Sequence, residues 1–305
     1  MGAVGARRPG AVALGPLALE DATRRDGGDV PRRRRPGGVR RDHPASRSRG
    51  GAGVSVVPDL RGRRALVTGG TRGIGFAISS ALAREGAHVT MGYRADEEAA
   101  ARAVAAIRAA GGSASASARN LASPEEVRAL VDEACGEDGL DVLVHDAALG
   151  SFKPVLDVKP NQWDLTLSVN ARALLLLVRA AAERMREGGR VVAISSLGAT
   201  RVVPSYGAIG VSKAALEALV RSLAAELAPR GITVNAVSAG LVETDGVRLH
   251  PGFEALRAAA LSRSPAGRLT TAEEVAGAVL LLASPLASGI TGQVLVVDGG
   301  LSAAF

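Results

Sequence analysis

Short apolar runs alternate along this chain with segments whose apolar residues recur at helical spacing. Such alternation is typical of βα units, in which helices connect parallel strands and cover both faces of the sheet. We therefore predict one doubly wound α/β domain of about seven parallel strands. The predicted strands are 65–67, 88–93, 115–118, 141–144, 190–194, 232–237 and 293–297, and the predicted helices are 76–86, 97–110, 124–135, 162–186, 205–228 and 271–282.

A glycine-rich turn joins the first strand to the first helix. Residues 68–75 read TGGTRGIG. Glycines allow a tight turn and close approach to a ligand, and the helix start offers unpaired N–H groups to a phosphate. This pattern predicts a Rossmann-type dinucleotide site rather than a simple turn. Its candidate binding residues are Gly69, Thr71, Arg72, Gly73, Ile74 and Gly75.

The end of the second strand indicates which dinucleotide is preferred. Sites for NAD usually place an acid there to bind the ribose hydroxyls. This chain has Tyr93 followed by Arg94, and Arg72 lies in the glycine loop. Two guanidinium groups favour the extra phosphate of NADPH. Asp96 is close enough in sequence to keep NADH as the less favoured cofactor.

Charge is distributed unevenly along the 305 residues. Residues 1–57 contain twelve Arg against five acids, whereas residues 58–305 contain 25 basic and 25 acidic side chains. The net charge of +7 therefore belongs to the first segment, and the rest gives no reason to expect nucleic-acid binding. We interpret 1–57 as a disordered Arg/Gly/Pro-rich extension; a basic interaction arm and an over-long start assignment are the alternatives, and we favour the last.

The remaining composition bears on cellular location, membrane association and metal binding. The single Cys135 permits no internal disulfide and suits the cytoplasm. We find no run of about 18 apolar residues and expect no membrane span. We also expect no metal site. Hydrophobic residues make up 47% of the chain, enough for a sizeable core.

Several motifs across residues 60–305 resemble those of the short-chain dehydrogenase/reductase family. They are Thr68-Gly69-x-x-x-Gly73-x-Gly75, Asn170 in the long helix, a Tyr and a Lys on a later helix, and the final Val297-Asp298-Gly299-Gly300. The family usually has Asn-Asn-Ala-Gly after its fourth strand, where this chain has His145-Asp146-Ala147-Ala148. We expect His145 to have no acid–base role, because the family supplies another proton donor.

The spacing of tyrosine and lysine separates two branches of that family. Many members place Tyr four residues before Lys, but that position is Ile209 here. Tyr206 lies seven residues before Lys213, and on a helix this spacing returns both side chains to nearly one face. The wider spacing resembles the enoyl-acyl-carrier-protein reductases, in particular the NADPH-dependent type III. Ser238-Ala239-Gly240 supports the likeness, since many ketone-reducing members have Pro before that Gly.

The resemblance implies roles for individual residues. Tyr206 would stabilise charge on the substrate oxygen, Lys213 would bind the nicotinamide ribose, Ser196 would contact substrate and Asn170 would position Lys213. Further cofactor contacts are implied for Arg94, Asn120, Leu121, Ala147, Gly240 and Thr244. Residues 242–261 would form a substrate flap. Leu249, Phe253 and Leu256 in it suit either an acyl chain or core packing.

Three functions remain open at this point. The first is NADPH-dependent reduction of an enoyl thioester, trans-2-enoyl-acyl carrier protein, in fatty-acid or related lipid synthesis. The second is ketoreductase or alcohol dehydrogenase activity on a 3-oxoacyl, polyketide or other small carbonyl substrate. The third is a dinucleotide-binding regulator without catalysis, against which Asn170, Tyr206 and Lys213 argue. The family resemblance also implies a homo-oligomer, most simply a tetramer.

Overall fold

A computed structural model describes residues 58–304, and the predictions for residues 1–57 lie outside this range. The described residues belong to one compact unit. Its strands are β1 (Arg64–Thr68), β2 (His88–Tyr93), β3 (Ser113–Ala118), β4 (Leu140–His145), β5 (Met185–Ser196), β6 (Thr233–Ala239) and β7 (Val294–Val297). Its α-helices are α1 (Gly73–Arg84), α2 (Glu97–Ala109), α3 (Pro124–Cys135), α4 (Pro160–Leu167), α5 (Ala173–Ala181), α6 (Gly207–Leu227), α7 (Asp245–Arg248), α8 (Phe253–Arg263) and α9 (Ala272–Ala283).

The sheet confirms the predicted fold class. Its seven strands are all parallel and lie in the order β3-β2-β1-β4-β5-β6-β7. The chain builds outward from β1 to β3 and then returns to place β4 on the other side of β1. Connections leave β1 and β4 toward opposite faces, so a crevice opens at the carboxyl ends of these two strands. Thr68 and His145 are paired at that edge.

Two hydrophobic layers cover the sheet, one on each face. Alternate strand residues supply them: Leu66 faces α3, α5 and α6, whereas the next residue, Val67, faces α1 and α9. Leu143 and Val144 of β4 divide in the same way. Because successive strand side chains point to opposite faces, continuous apolar runs are what a sheet buried on both sides requires.

Side-chain caps stabilise the starts of two helices. Ser123 Oγ accepts a hydrogen bond from the Glu126 N–H at 3.2 Å, which satisfies an otherwise unpaired donor at the start of α3. Thr271 and Glu274 form a reciprocal capping box at the start of α9. Both helices therefore begin where the sequence places them.

The predicted helix 162–186 is interrupted. The segment comprises α4, a π-helical turn at Ser168–Arg172 and α5, and it closes in a short 3₁₀ turn at Ala182–Arg184. Strand β5 starts at Met185, earlier than predicted, because Met185 pairs with Leu140 across an irregularity in the ladder. A π turn inserts a residue into the helical repeat and often marks a functional position.

Among the described residues, one helical stretch, Pro160–Arg184, is long and apolar enough by composition to cross a membrane. This corrects the expectation that no segment of the chain has a sufficiently long apolar run. Half of its most apolar 18-residue window is buried, and the stretch packs against α3 and α6. Within residues 58–304 no group of three His, Cys, Asp or Glu side chains could hold a metal ion.

Candidate active site

The glycine loop closes tightly against the segment that follows β4. Gly69 has φ +71°, and a Cβ there would lie 3.0 Å from the backbone N of Ala147. A Cβ at Gly75 would lie 2.7 Å from Oδ2 of Asp146. Any side chain at these two positions would force the loop away from β4. The loop therefore needs its glycines for packing as well as for ligand approach.

The first turn of α1 is free to bind an anion. Its N-cap residue, Arg72, makes no capping hydrogen bond, and the turn carries no acid. Its backbone N–H groups and helix dipole therefore favour a phosphate at this end. The turn opens into a cleft of about 720 Å³, a volume suited to a cofactor. The donors and the close-packed glycines fit a dinucleotide.

The two arginines that we predict to bind the extra phosphate of NADPH line this cleft. Arg72 and Arg94 are both exposed and border it together with Tyr93. Asp96 also borders the cleft, but its Oδ1 caps α2 by accepting a hydrogen bond from Ala99 N at 2.9 Å. A carboxylate engaged in capping is less available for ribose hydroxyls, so the local geometry favours the phosphorylated cofactor.

The other predicted cofactor residues divide into two groups. Asn120, Leu121, Ala147 and Thr244 line the cleft together with Gly69, Thr71, Gly73 and Ile74. Thr244 begins α7 and lies opposite Gly73, where a Cβ would be 3.3 Å from its Cγ2. Gly240 lies outside the lining: its N–H donates to the Val297 carbonyl at 2.9 Å, and Asp298 covers its Cα. Gly240 therefore packs against the segment that follows β7.

Asn170 is buried in the π turn and links three segments. Its Oδ1 accepts from Leu149 N at 2.9 Å, while its Nδ2 donates to the Leu149 carbonyl and to Ser212 Oγ, both at 2.9 Å. Ser212 precedes Lys213 on α6. Asn170 thus ties the loop after β4 to the helix that carries the lysine, which is a positioning role.

Lys213 is buried beneath the carboxyl ends of the strands. Its Nζ donates to the Ile194 carbonyl at 2.6 Å. Burial lowers the pKa of this ammonium group to about 8, and the carboxylates of Asp146 and Glu217 oppose the shift. Lys213 therefore remains mainly charged at neutral pH and stabilises negative charge nearby.

The helical argument for Tyr206 was wrong in one respect. Helix α6 begins at Gly207, so Tyr206 is its N-cap residue and not a member of the helix. Ser205 has φ +55°, a left-handed conformation that the predicted helix from 205 could not contain. Ile209, in the usual tyrosine position, is buried and packs against Gly150.

The phenol of Tyr206 lies beside Ser196. Burial raises its pKa, and the neighbouring Ser196 hydroxyl partly offsets the rise. Ser196 Oγ also accepts from Gly198 N at 3.2 Å, which fixes the turn after β5. In the described chain no hydrogen bond joins the phenol to the Lys213 ammonium. The structure therefore places Ser196 with Tyr206, and Asn170 with the segment that bears Lys213.

The unusual residues after β4 place two polar side chains at the site, a fully buried His145 and a partly buried Asp146. His145 is fully buried; its Nε2 faces the Asn170 carbonyl at 3.3 Å, and its Nδ1 lies 2.9 Å from Thr68 Oγ1. Burial and the Lys213 charge lower the pKa of His145 to about 3, so it stays neutral and serves packing rather than acid–base chemistry. Desolvation raises the pKa of Asp146 to about 6, against the effects of Lys213 and the Gly75 N–H.

Three residues near the site were not predicted. Phe152 stacks on Tyr206, and His250 lies edge-on to Phe152. Glu217, on α6, accepts a hydrogen bond from Ser195 Oγ at 2.5 Å beneath the strand ends. None carries a local sequence motif. Their partners are distant in the chain, so only the fold brings them together.

The parallel sheet, the glycine loop at its carboxyl edge, the buried Lys213 and the phenol beside Ser196 define an NAD(P)-dependent oxidoreductase. Comparison with known proteins gives the family. The family model described as "Enoyl-(Acyl carrier protein) reductase" matches residues 69–302. The chain belongs to the short-chain dehydrogenase/reductase family.

Individual relatives agree with this assignment. The chain is 40% identical over 240 residues to 1-cyclohexenylcarbonyl-CoA reductase of Streptomyces collinus, which covers 78% of this chain and 86% of the relative. It is 36% identical over 253 residues to versicolorin reductase of Emericella nidulans, covering 79% and 96% of the two chains.

A solved structure extends the comparison to the fold. A short-chain dehydrogenase from Burkholderia cenocepacia in complex with NADP has a TM-score of 0.75 and 40% identity, over 80% of this chain and 99% of its own. A short-chain dehydrogenase/reductase from Serratia marcescens also has a TM-score of 0.75, with 36% identity over 80% and 99% of the two chains.

Proposed function

We propose that this protein uses NADPH to reduce an enoyl thioester to the saturated acyl thioester. The position of the phenol carries the proposal. Ile209 fills the position from which most family members present tyrosine, and Tyr206, beside Ser196, supplies the phenol from a position before α6 begins. A carbonyl substrate needs the phenol beside the carbon that accepts hydride. In an enoyl thioester the oxygen lies two carbons farther away, which matches a displaced phenol.

The protein's own groups suit this chemistry. Bound NADPH supplies the hydride that adds to the β-carbon of the substrate. The phenol of Tyr206 donates a hydrogen bond or a proton to the thioester oxygen as negative charge grows there. The resulting enol or enolate then takes a proton from water at its α-carbon, and any proton left on oxygen returns to the phenol, which completes the saturated thioester. The Lys213 charge lowers the cost of negative charge in this region, and Asn170 holds the start of α6 in place.

The cofactor proposal rests on charge at the cleft. Arg72 and Arg94 border the site of the adenine ribose expected for this fold, and Asp96 is engaged in capping. The Burkholderia cenocepacia relative is in complex with NADP. NADPH is therefore the cofactor, with NADH the weaker alternative.

The relatives support the substrate class. The Streptomyces collinus protein is a 1-cyclohexenylcarbonyl-CoA reductase, and its substrate name describes a conjugated thioester. The matching family model bears the name of an enoyl reductase. Exposed apolar side chains on the loops around the site, with Leu249 77% exposed, suit an acyl chain, whereas Phe253 is buried in the core.

Ketone reduction is the second candidate. The similarity to versicolorin reductase favours it, as does the presence of Ser196 beside the phenol. Tyr206, Lys213 and Asn170 together make a regulator without catalysis the weakest candidate, because such a protein would need none of them.

Three further features belong to the same proposal. We propose acyl carrier protein as the carrier of the acyl group, a homotetrameric assembly and a cytoplasmic location. Partly exposed apolar residues on α5 and α6 support the assembly; Leu175 and Val211 are 42% and 45% exposed. Helix faces of this kind are commonly buried between subunits.

NADPH oxidation with crotonyl and acetoacetyl thioesters, each on acyl carrier protein and on coenzyme A, tests the proposal. We expect turnover with the crotonyl thioester, and we expect Tyr206→Phe to lower it about 10²-fold while NADPH affinity stays the same. Lys213→Ala should damage both turnover and NADPH binding. Brisk reduction of acetoacetyl thioesters with no reaction of crotonyl thioesters would establish the ketoreductase instead.

A further inference from the structure

The backbone just before Tyr206 is held in a strained conformation. Ser205 has φ +55° and is the one non-glycine residue with positive φ in the described part of the chain. A left-handed conformation is unfavourable for a non-glycine residue and persists only where the surroundings impose it. Since Tyr206 also precedes the first residue of α6, the helix alone does not set the direction of the phenol.

Two contacts confine the ring of Tyr206. One face lies against the backbone of Gly198, where a Cβ would be 2.6 Å from ring atoms Cδ1 and Cε1. Phe152 stacks on the ring with centroids 6.2 Å apart and planes inclined by 24°. The phenol is thus oriented by residues from the loops after β4 and β5.

His250 joins the flap to this arrangement. It lies between α7 and α8, is 6% exposed, and meets Phe152 edge-on with centroids 4.9 Å apart. Gly252 N–H donates to its Nδ1 at 2.9 Å, so the ring proton is on Nε2. Nε2 therefore donates to the Pro204 carbonyl at 2.9 Å, two residues before the phenol.

We propose that His250 is a positioning residue for Tyr206: it ties the flap to the Pro204–Tyr206 loop and keeps the phenol in its reactive place. It acts by two routes. The hydrogen bond to Pro204 holds the strained loop, and the edge contact with Phe152 holds the aromatic stack. The proposal rests on the proposed role of Tyr206 but assigns His250 no contact with substrate.

Substitutions at His250 can separate its hydrogen bond to Pro204 from its ring contact with Phe152. His250→Phe keeps an aromatic ring against Phe152 but cannot donate to Pro204. His250→Gln restores an N–H donor at the position of Nε2. His88→Phe is the matched control. It makes the same substitution at the amino end of β2, whereas the site lies at the carboxyl ends of the strands.

We expect His250→Phe to lower kcat for the crotonyl thioester about tenfold, the effect of losing one hydrogen bond and leaving a carbonyl unpaired. The Kd for NADPH, measured by its fluorescence, should stay within about twofold, because His250 lies outside the cofactor cleft. His250→Gln restores the bond to Pro204 but not the ring contact with Phe152, so it should recover part of the loss, and His88→Phe should show none.

A second readout needs neither substrate nor turnover. The chain has two tyrosines, so in a Tyr93→Phe background the ultraviolet phenolate signal reports Tyr206 alone. Burial raises the pKa of this phenol. Adding His250→Phe should admit water and shift the titration to lower pH, toward about 10, whereas His250→Gln should not. Circular dichroism at the same pH values verifies that each variant remains folded.

The outcomes are distinct. A higher KM for the thioester with unchanged kcat and unchanged phenol titration would make His250 a flap residue only and overturn the proposal. If Tyr206→Phe is fully active, the proposed role of the phenol fails, yet the titration still decides whether His250 positions it. If His250→Phe does not fold, Phe152→Leu carries the test, and an unchanged kcat and titration in that variant would contradict the proposal equally.

Discussion

Replacing His145 by asparagine should make the protein more resistant to acid. The imidazole is fully buried between Thr68 and Asn170, with hydrogen-bond partners on both nitrogens. Nε2 faces a carbonyl and carries the proton, and Nδ1 accepts from the threonine hydroxyl. A second proton on Nδ1 would place a charge in the core beside the Lys213 ammonium, so the folded protein resists protonation.

The sign and size of the effect follow from the two pKa values. His145 titrates near 6.5 when unfolded and at about 3 when folded. Between these values the unfolded chain binds the proton, so stability is complete above about pH 6.5 and falls as the pH decreases. At pH 5, the loss is about 2 kcal/mol, since each pH unit contributes about 1.4 kcal/mol. For a domain of this size that corresponds to a Tm lower by about 4–8 °C.

Asp146 contributes with the opposite sign. Its folded pKa of about 6 lies above the ordinary 3.8, so it favours the folded state as the pH falls through this window. The wild-type protein alone would therefore show a small net slope. Comparison with His145→Asn removes this difficulty, because Asp146 is present in both proteins.

Urea unfolding at pH 7.5 and pH 5 measures the effect. The free energy of unfolding should fall by about 2 kcal/mol more in the wild type than in His145→Asn. Thr68→Val, which removes the hydroxyl's hydrogen bonds with His145 and with the Ala147 N–H but keeps the imidazole, should lose stability at both pH values and retain the acid sensitivity. An equal pH response in wild type and His145→Asn would show that the histidine is not buried in neutral form.

The other predictions concern cofactor, assembly and the first segment. Arg72→Ala and Arg94→Ala should each weaken NADPH binding by about 1.5–3 kcal/mol and NADH binding much less; equal losses in titration calorimetry would show that neither reads the phosphate. Light scattering at micromolar concentration should give a tetramer, and a monomer would contradict the proposed pairing through α5 and α6. A chain starting near Val56 should fold and bind cofactor like the full chain, as the break in charge before Pro58 indicates; an insoluble or inactive product would refute this.

The local sequence determined where most strands, helices and turns lie, because each of these depends on the pattern of neighbouring residues. Strand and helix periods, the TGGTRGIG turn and the caps at Ser123 and Thr271 each depend on residues a few positions apart. The order of strands was not among these predictions, because β4 returns across the sheet to lie beside β1 rather than beside β3. The dinucleotide site was predictable, as was the placement of Arg72 and Arg94 at its edge.

The tertiary structure decided the details of the reaction centre. Helical periodicity placed Tyr206 within a helix, whereas the structure places it before α6, after a left-handed Ser205. Its ring is held by Gly198, which lies in the turn after β5, and by Phe152, which is 54 residues away in the chain. Asn170 sits in a π turn that no local pattern revealed, and Gly240 packs away from the cleft. The sequence by itself thus determines which segments bury a face and where the chain can turn, because neighbouring residues carry that information. The direction of each reactive side chain depends instead on contacts between different segments, and these contacts exist only once the sheet and its helices have assembled.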